Sequence, residues 1–148
     1  MLSVHPRHVR NIVNGKKTIE LRKTRPNVLP GQPVVIYETF PMSAVVATCR
    51  VARIVVVDVA DLQHSVLKDA CVSAAEIERY FRGRDTAYLI HLEEVRVLRD
   101  PVRLNDIRRN RAFAPPQTWH FLDRTAVERM LFEHPSKESI TSLLGYSA

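Results

Sequence analysis

From Thr18 the chain alternates. Thr18, Glu20 and Arg22 fall on one side, Ile19 and Leu21 on the other, a period of two that predicts a half-buried strand over residues 18–23. Just before it the period is longer. Val9, Ile12 and Val13 recur at about one helical turn, and Pro6 suits the first turn of a helix, where a missing N–H costs nothing. Asn14 and Gly15 end that helix, since glycine adopts positive φ freely. Residues 2–5 read as a short first strand.

Pro26, Pro30 and Pro33 make residues 25–33 a loop, with Pro30-Gly31 at the centre of a type II turn. Residues 34–40 are rich in strand formers. The run 44–59 is too long for a flat strand and predicts a bend or bulge near residues 50–53. Residues 60–70 read as a helix on Leu62, Val66 and Leu67. A second helix begins at a capping box, Ser73 with Glu76 three residues on, turns Ile77, Tyr80 and Phe81 inward and ends before Gly83. Residues 86–98 form a long strand whose apolar phase changes between Leu92 and Val95. Asp100-Pro101 predicts a turn, Leu104 and Ile107 a short helix, and residues 114–122 an extended approach ending in a helical turn. Residues 123–132 form a helix with Val127, Met130 and Leu131 inward. Residues 133–148 are a weakly patterned tail, set apart from a domain spanning 1–132. With about five strands, mostly antiparallel, and helices inserted between and beside them, the fold class is α+β on a small β-barrel.

Composition narrows the partners. The chain has 148 residues, 45% hydrophobic and 26% charged, with a net charge of +6, which favours an anionic partner such as RNA. The cations form two groups, Arg7 to Arg25 and Arg96 to Arg111; brought together they would line a groove of one sign. Cys49 lies in an apolar run and reads as a buried free thiol; Cys71, near a helix start, reads as a free thiol. No metal-ligand spacing occurs, so neither a metal nor a cofactor is expected. No signal peptide and no apolar run of membrane-spanning length is present, and a cytoplasmic location without membrane attachment is expected.

The candidate chemistry gathers at Gly15 to Arg22. The helix end and strand start should place Lys16, Lys17, Glu20 and Arg22 in one small volume, cations around a carboxylate, suited to a nucleotide. Alternatively, the same charges only solubilise a strand face.

The spacing Gly15, Lys17, Glu20, Arg22 reproduces the G-x-K-x-x-E-x-R motif of the ASCH domain family, within the PUA-like superfamily of small β-barrels. Pro30-Gly31, Val35-Ile36-Tyr37, the helix from Ser73 to Phe81, Ala87-Tyr88-Leu89-Ile90 and Pro115 to Trp119 also resemble members of that family. The resemblance covers about residues 1–131. It implies a cleft between barrel and inserted helices that takes RNA or a modified nucleoside. Small bacterial members hydrolyse the amide of N4-acetylcytidine with a lysine, a threonine and a glutamate. Lys17 matches the lysine and Glu76 matches the glutamate, but the threonine position holds Glu20, and Thr18 lies two residues before it.

Each candidate has a structural alternative. Lys17 contacts phosphate or is merely solvated. Glu20 accepts from a base amino group or only pairs with Lys17 and Arg22; flanked by cations, it suits recognition better than proton abstraction. Arg22 holds a phosphate or orients Glu20. Glu76 is explained by its capping box alone. Tyr37, Tyr88 and Trp119 stack on bases or pack in the core. Gln117 reads a base edge or ties its loop. Lys16 and Thr18 complete the expected ligand surface. The leading functional expectation is RNA or nucleotide binding; the alternative is an amidohydrolase with Lys17, Glu20 and Glu76 as its catalytic set, or a ribonuclease.

Overall fold

The computed structural model describes residues 1–145 of the chain. Strand β1 (Leu2–Val4) leads into helix α1 (Pro6–Val13), followed by β2 (Ile19–Arg22), β3 (Pro33–Glu38) and β4 (Ala44–Asp58). After a single 3-10 turn (Val59–Asp61) come α2 (His64–Ala70), α3 (Ala74–Tyr80), β5 (Thr86–Arg103), α4 (Leu104–Asn110), α5 (Arg124–Met130) and α6 (Lys137–Leu143). The helix expected over residues 60–70 is thus shorter, preceded by the 3-10 turn. Pro6 opens α1 and Gly15 follows it at φ +71°. The capping box of α3 is complete: the Ser73 hydroxyl accepts from the Glu76 N–H, and Glu76 accepts from the Ser73 N–H.

The strands form one five-stranded sheet in the order β1-β3-β4-β5-β2. It is mixed, because β1 pairs parallel with β3 while the other three pairings are antiparallel. Among the described residues the ladder does not run from β2 back to β1, so the expected barrel is not closed by backbone pairing. A side chain spans the two edges instead: Arg22 Nη2 donates to the Ser3 carbonyl at 3.2 Å.

The long strands bend where the sequence changes phase. The β4–β5 register shifts between Val45 and Ala47, Thr48 and Arg50, and Val51 and Arg53, which includes the expected bulge. In β5 the phase change coincides with Glu94 at φ 50°. The turn expected at Asp100-Pro101 does not form. Strand β5 runs on to Arg103, with Val45 opposite Val102 and Ala47 opposite Val97. Pro101 falls inside that register jump, where its missing N–H removes no ladder bond.

Apolar burial forms three clusters. Leu2, Ile12, Ile36, Val51 and Ile90 centre one, beneath α1. Ile19, Leu21, Ile77, Phe81 and Leu89 centre another, beneath α3. The third holds Val45, Val102, Ile107, Met130, Leu131 and Ile140. Ile140 belongs to α6, so part of the weakly patterned tail is a helix with an anchor in the core; residues 146–148 lie outside the described part. Cys49 is a buried free thiol, pushed up to about 12 by burial; Cys71 is also free and half-buried.

Candidate functional site

Strand β2 lies at a sheet edge between the clusters under α1 and α3. Its Ile19 and Leu21 side chains join the α3 cluster, which turns Glu20 and Arg22 the other way, toward β1. All four residues are buried, rather than alternately exposed as the pattern predicts, because α1 and α3 wall in the polar face. The space left between those walls is a cavity of about 540 Å³, the range of small-ligand sites.

The loop before β2 is held by its backbone. The N–H groups of Lys16 and Lys17 both donate to Asn11 O at 2.9 Å, and the Thr18 N–H donates to Asp69 O at 2.9 Å. Lys17 is thereby turned inward, 3% exposed, and its ammonium donates to Ala70 O, the last carbonyl of α2, at 2.7 Å. A cation there also meets the negative end of the helix. The same Nζ stands 3.2 Å from Glu20 Oε2, and Arg22 Nη2 stands 2.9 Å from Glu20 Oε1. Glu20 is therefore bracketed, one cation on each oxygen.

Glu76 enters the cavity from α3. One of its oxygens accepts from the Ser73 N–H at 2.8 Å and the other from Arg7 at 2.6 Å. The Ser73 backbone bond first, then Arg7, hold its carboxyl at about 2. Arg7, Lys23 and Arg79 add three cations to Lys17 and Arg22, so five cations face two carboxylates that are already paired. Lys23 Nζ sits 4.6 Å above the ring of Tyr80, itself 39% exposed.

Three polar atoms here have no protein partner. Among the described residues the buried unpartnered side-chain atoms are Ser3 Oγ, His8 Nδ1, Arg22 Nε and Trp119 Nε1, and all but the last belong to residues lining this cavity. Buried polar groups are rarely left unpaired, and these three belong to residues that wall one cavity. His8 is half-buried; desolvation first, then Lys17, lowers its pKa below the ordinary imidazole value.

The structure brings together Lys17, Glu20, Arg22 and Glu76 and separates the other candidates. Lys16 and Thr18 are exposed and do not line the cavity. Tyr37 is 2% exposed within the cluster of Val35 and Leu98, closed to any base. Tyr88 pairs with Arg22 in the β2–β5 ladder, half-buried, but is not at the cavity wall. Gln117 is exposed on its loop. Trp119 packs on the α1 cluster, bridges to Leu2 and lines a separate cavity of about 350 Å³. The two basic groups do not merge either: Arg96 and Arg99 line another cavity, with Arg50 and Glu94.

Sequence reasoning missed His8, Ser3 and Tyr80. His8 precedes Ile12 by four residues and so borders the apolar stripe of α1, a weak signal for a half-buried polar group. Tyr80 reads as inward-facing by helical period, yet α3 ends there and leaves its ring at the cavity mouth.

Among the described residues no helix is long and apolar enough to cross a membrane. The ASCH domain model matches residues 2–99. An ASCH domain-containing ribonuclease of Zymomonas mobilis is 29% identical over 132 residues, 88% of each chain. The crystal structure of ASCH from Zymomonas mobilis superposes with a TM-score of 0.80 at 27% identity, covering 88% of this chain and 91% of that one. An Enterococcus faecalis protein, at a TM-score of 0.52 and 14% identity over 62% and 68% of the two chains, shares the fold alone. The motif from Gly15 to Arg22, the sheet built around it and the family match together show that this chain belongs to the ASCH domain family.

Proposed function

We propose that this chain binds RNA in the cavity between α1, β2 and α3 and cleaves it. The observation that carries the reading is the convergence of three unpartnered polar atoms, on Ser3, His8 and Arg22, in a cavity lined by five cations. A ligand that satisfies them must be polar and anionic, and a phosphodiester supplies acceptors and charge together. Lys17 spends two of its three donors on Ala70 and Glu20 and keeps one for a phosphate oxygen. Arg22 keeps Nε. Tyr80 offers a ring face at the mouth for a base, and Glu20 retains lone pairs for a base amino group. The likeness over 88% of each chain to a ribonuclease supports cleavage rather than binding alone.

The amidohydrolase alternative has Lys17, Glu20 and Glu76 around one cavity, as its resemblance implies. Its weakness is chemical. Glu20 already holds a cation on each oxygen, and Glu76, held at about 2, is a poor base near neutral pH. A two-arm assay decides. The protein is incubated with an end-labelled RNA oligonucleotide and, separately, with N4-acetylcytidine. RNA shortening that is lost in Arg22→Ala, with the nucleoside intact, is the expected result. Cytidine release with intact RNA would replace ribonuclease by amidohydrolase.

A further inference from the structure

We propose that His8 is the general base of this site and that cleavage is a transesterification, in which Nε2 of His8 takes the proton of the RNA 2′-hydroxyl while Lys17 and Arg22 hold the adjacent phosphate. The inference rests on the RNA-cleaving reading and specifies its chemistry.

The cavity presents three groups able to accept a proton from a bound hydroxyl: Glu20, Glu76 and His8. Each oxygen of both carboxylates already has a donor at 2.6–3.2 Å, Glu20 from Lys17 and Arg22, Glu76 from the Ser73 N–H and Arg7. Among the described residues the imidazole makes one polar contact, its Nε2 lying 3.4 Å from Arg7 Nη2. A guanidinium has no lone pair to offer, so that contact assigns the imidazole lone pair to Nε2 and the proton to Nδ1. Nδ1 is the buried atom with no partner. A neutral imidazole whose lone pair is held by a 3.4 Å contact to an exposed arginine is the most weakly engaged acceptor of the three.

The charged groups facing His8 are Arg7 on its own helix, Lys17 before β2, Glu20 on β2 and Glu76 on α3. Desolvation and Lys17 outweigh the two carboxylates and favour the neutral ring, the form a base must have.

The chemical step balances within the substrate. The 2′-oxygen loses its proton to His8 and forms a bond to phosphorus. The bond from phosphorus to the 5′-oxygen breaks, and the electron pair leaves with that oxygen, which takes a proton from solvent at the open mouth. Lys17 and Arg22 offset the charge that builds on the non-bridging oxygens. His8 then returns its proton to water. The products are a 2′,3′-cyclic phosphate and a 5′-hydroxyl, and a substrate without a free 2′-hydroxyl is inert.

The test uses the full chain, an RNA oligonucleotide of mixed sequence and its fully 2′-O-methylated counterpart, with product ends read by mass spectrometry. Cyclic phosphate ends from RNA, and no cleavage of the methylated strand, are expected. His8→Ala and His8→Gln should lower kcat by about a hundredfold or more with KM little changed, the scale of a lost general base, and imidazole should restore part of the rate to His8→Ala. The unaltered protein should also lose rate as the pH is lowered and the ring takes up a proton. Cleavage of the methylated strand, 5′-phosphate ends, or full activity in either variant would overturn the role of His8 and leave the ribonuclease reading standing. Failure of the unaltered protein to cut RNA would remove both. Product ends and the methylated strand decide the chemistry even where a variant does not fold.

Discussion

Lys17 and Glu20 form an ion pair inside the protein, Nζ to Oε2 at 3.2 Å, with side chains only 2% and 10% exposed. The pair does not stand alone. The ammonium also caps the C-terminal carbonyl of α2, and Arg22 holds the other carboxylate oxygen. Removing one partner of such a pair leaves an uncompensated charge, which costs about 3–5 kcal/mol. Lys17→Met is expected to lower stability by about 3 kcal/mol, read from urea denaturation, because Arg22 still compensates part of the charge on Glu20. A loss below about 1 kcal/mol, the scale of an exposed pair, would contradict the burial.

Glu20→Gln keeps the size of the side chain and removes its charge. Burial of the two flanking cations makes this variant less stable, yet the apolar cores around β2 are untouched and the fold should persist. Its preference between cytidine-rich and uridine-rich RNA should change, since an amide presents a donor where a carboxylate presents only acceptors. Equal preference in variant and unaltered protein, measured by fluorescence anisotropy, would remove Glu20 from base reading.

Glu76 links the α3 cap to pH. Its folded value of about 2 lies below the ordinary 4.5, so the folded state favours the ionised form. The stabilisation is present above about pH 4.5 and is lost as pH falls through about 2. The melting difference between the unaltered protein and Glu76→Gln should therefore be full at pH 6 and shrink steadily over that acid window. A difference that stays constant down to pH 2 would show that the cap does not depend on the charge.

Tyr80, rather than Tyr37 or Trp119, lines this cavity with a partly exposed ring. Tyr80→Leu is expected to weaken RNA binding by about 1–3 kcal/mol, the scale of one stacked base, while Trp119→Phe leaves it unchanged. Lys23→Ala and Arg79→Ala should each reduce the slope of log affinity against log salt by about 1, through one lost phosphate contact. Arg96→Ala and Arg99→Ala, at a separate cavity, should leave the slope as it is.

Ile140 makes α6 part of the folded unit. It is fully buried beside Ile107, Met130 and Leu131. Ile140→Ala should cost about 2–5 kcal/mol, as for other buried aliphatic truncations. A thermal shift no larger than that of an exposed substitution would show that α6 is only loosely docked.

Much of this protein is decided by short-range physics. Pro6, Gly15 and the Ser73–Glu76 box set helix ends through local backbone geometry, so those boundaries are legible along the chain. The period of two at β2 likewise assigns Ile19 and Leu21 to one side and Glu20 and Arg22 to the other. The motif also placed Lys17, Glu20 and Arg22 together, because three residues within one turn and one strand cannot separate far. Which side is wet is a different matter. A period says that two faces differ; it says nothing of what covers the polar one, and here α1 and α3 bury it. His8, Ser3 and Tyr80 join the site from three other elements, and no local pattern encodes that meeting. The same holds for Pro101, whose place inside β5 depends on a register jump against β4, and for Arg96 and Arg99, whose charge suggested one groove while the fold gave them another. Local pattern was enough for most of the elements, for the caps of α1 and α3 and for the nucleus of the site. Burial, the unpartnered polar atoms and the aromatic at the mouth come from packing, because each depends on contacts between residues far apart in the chain.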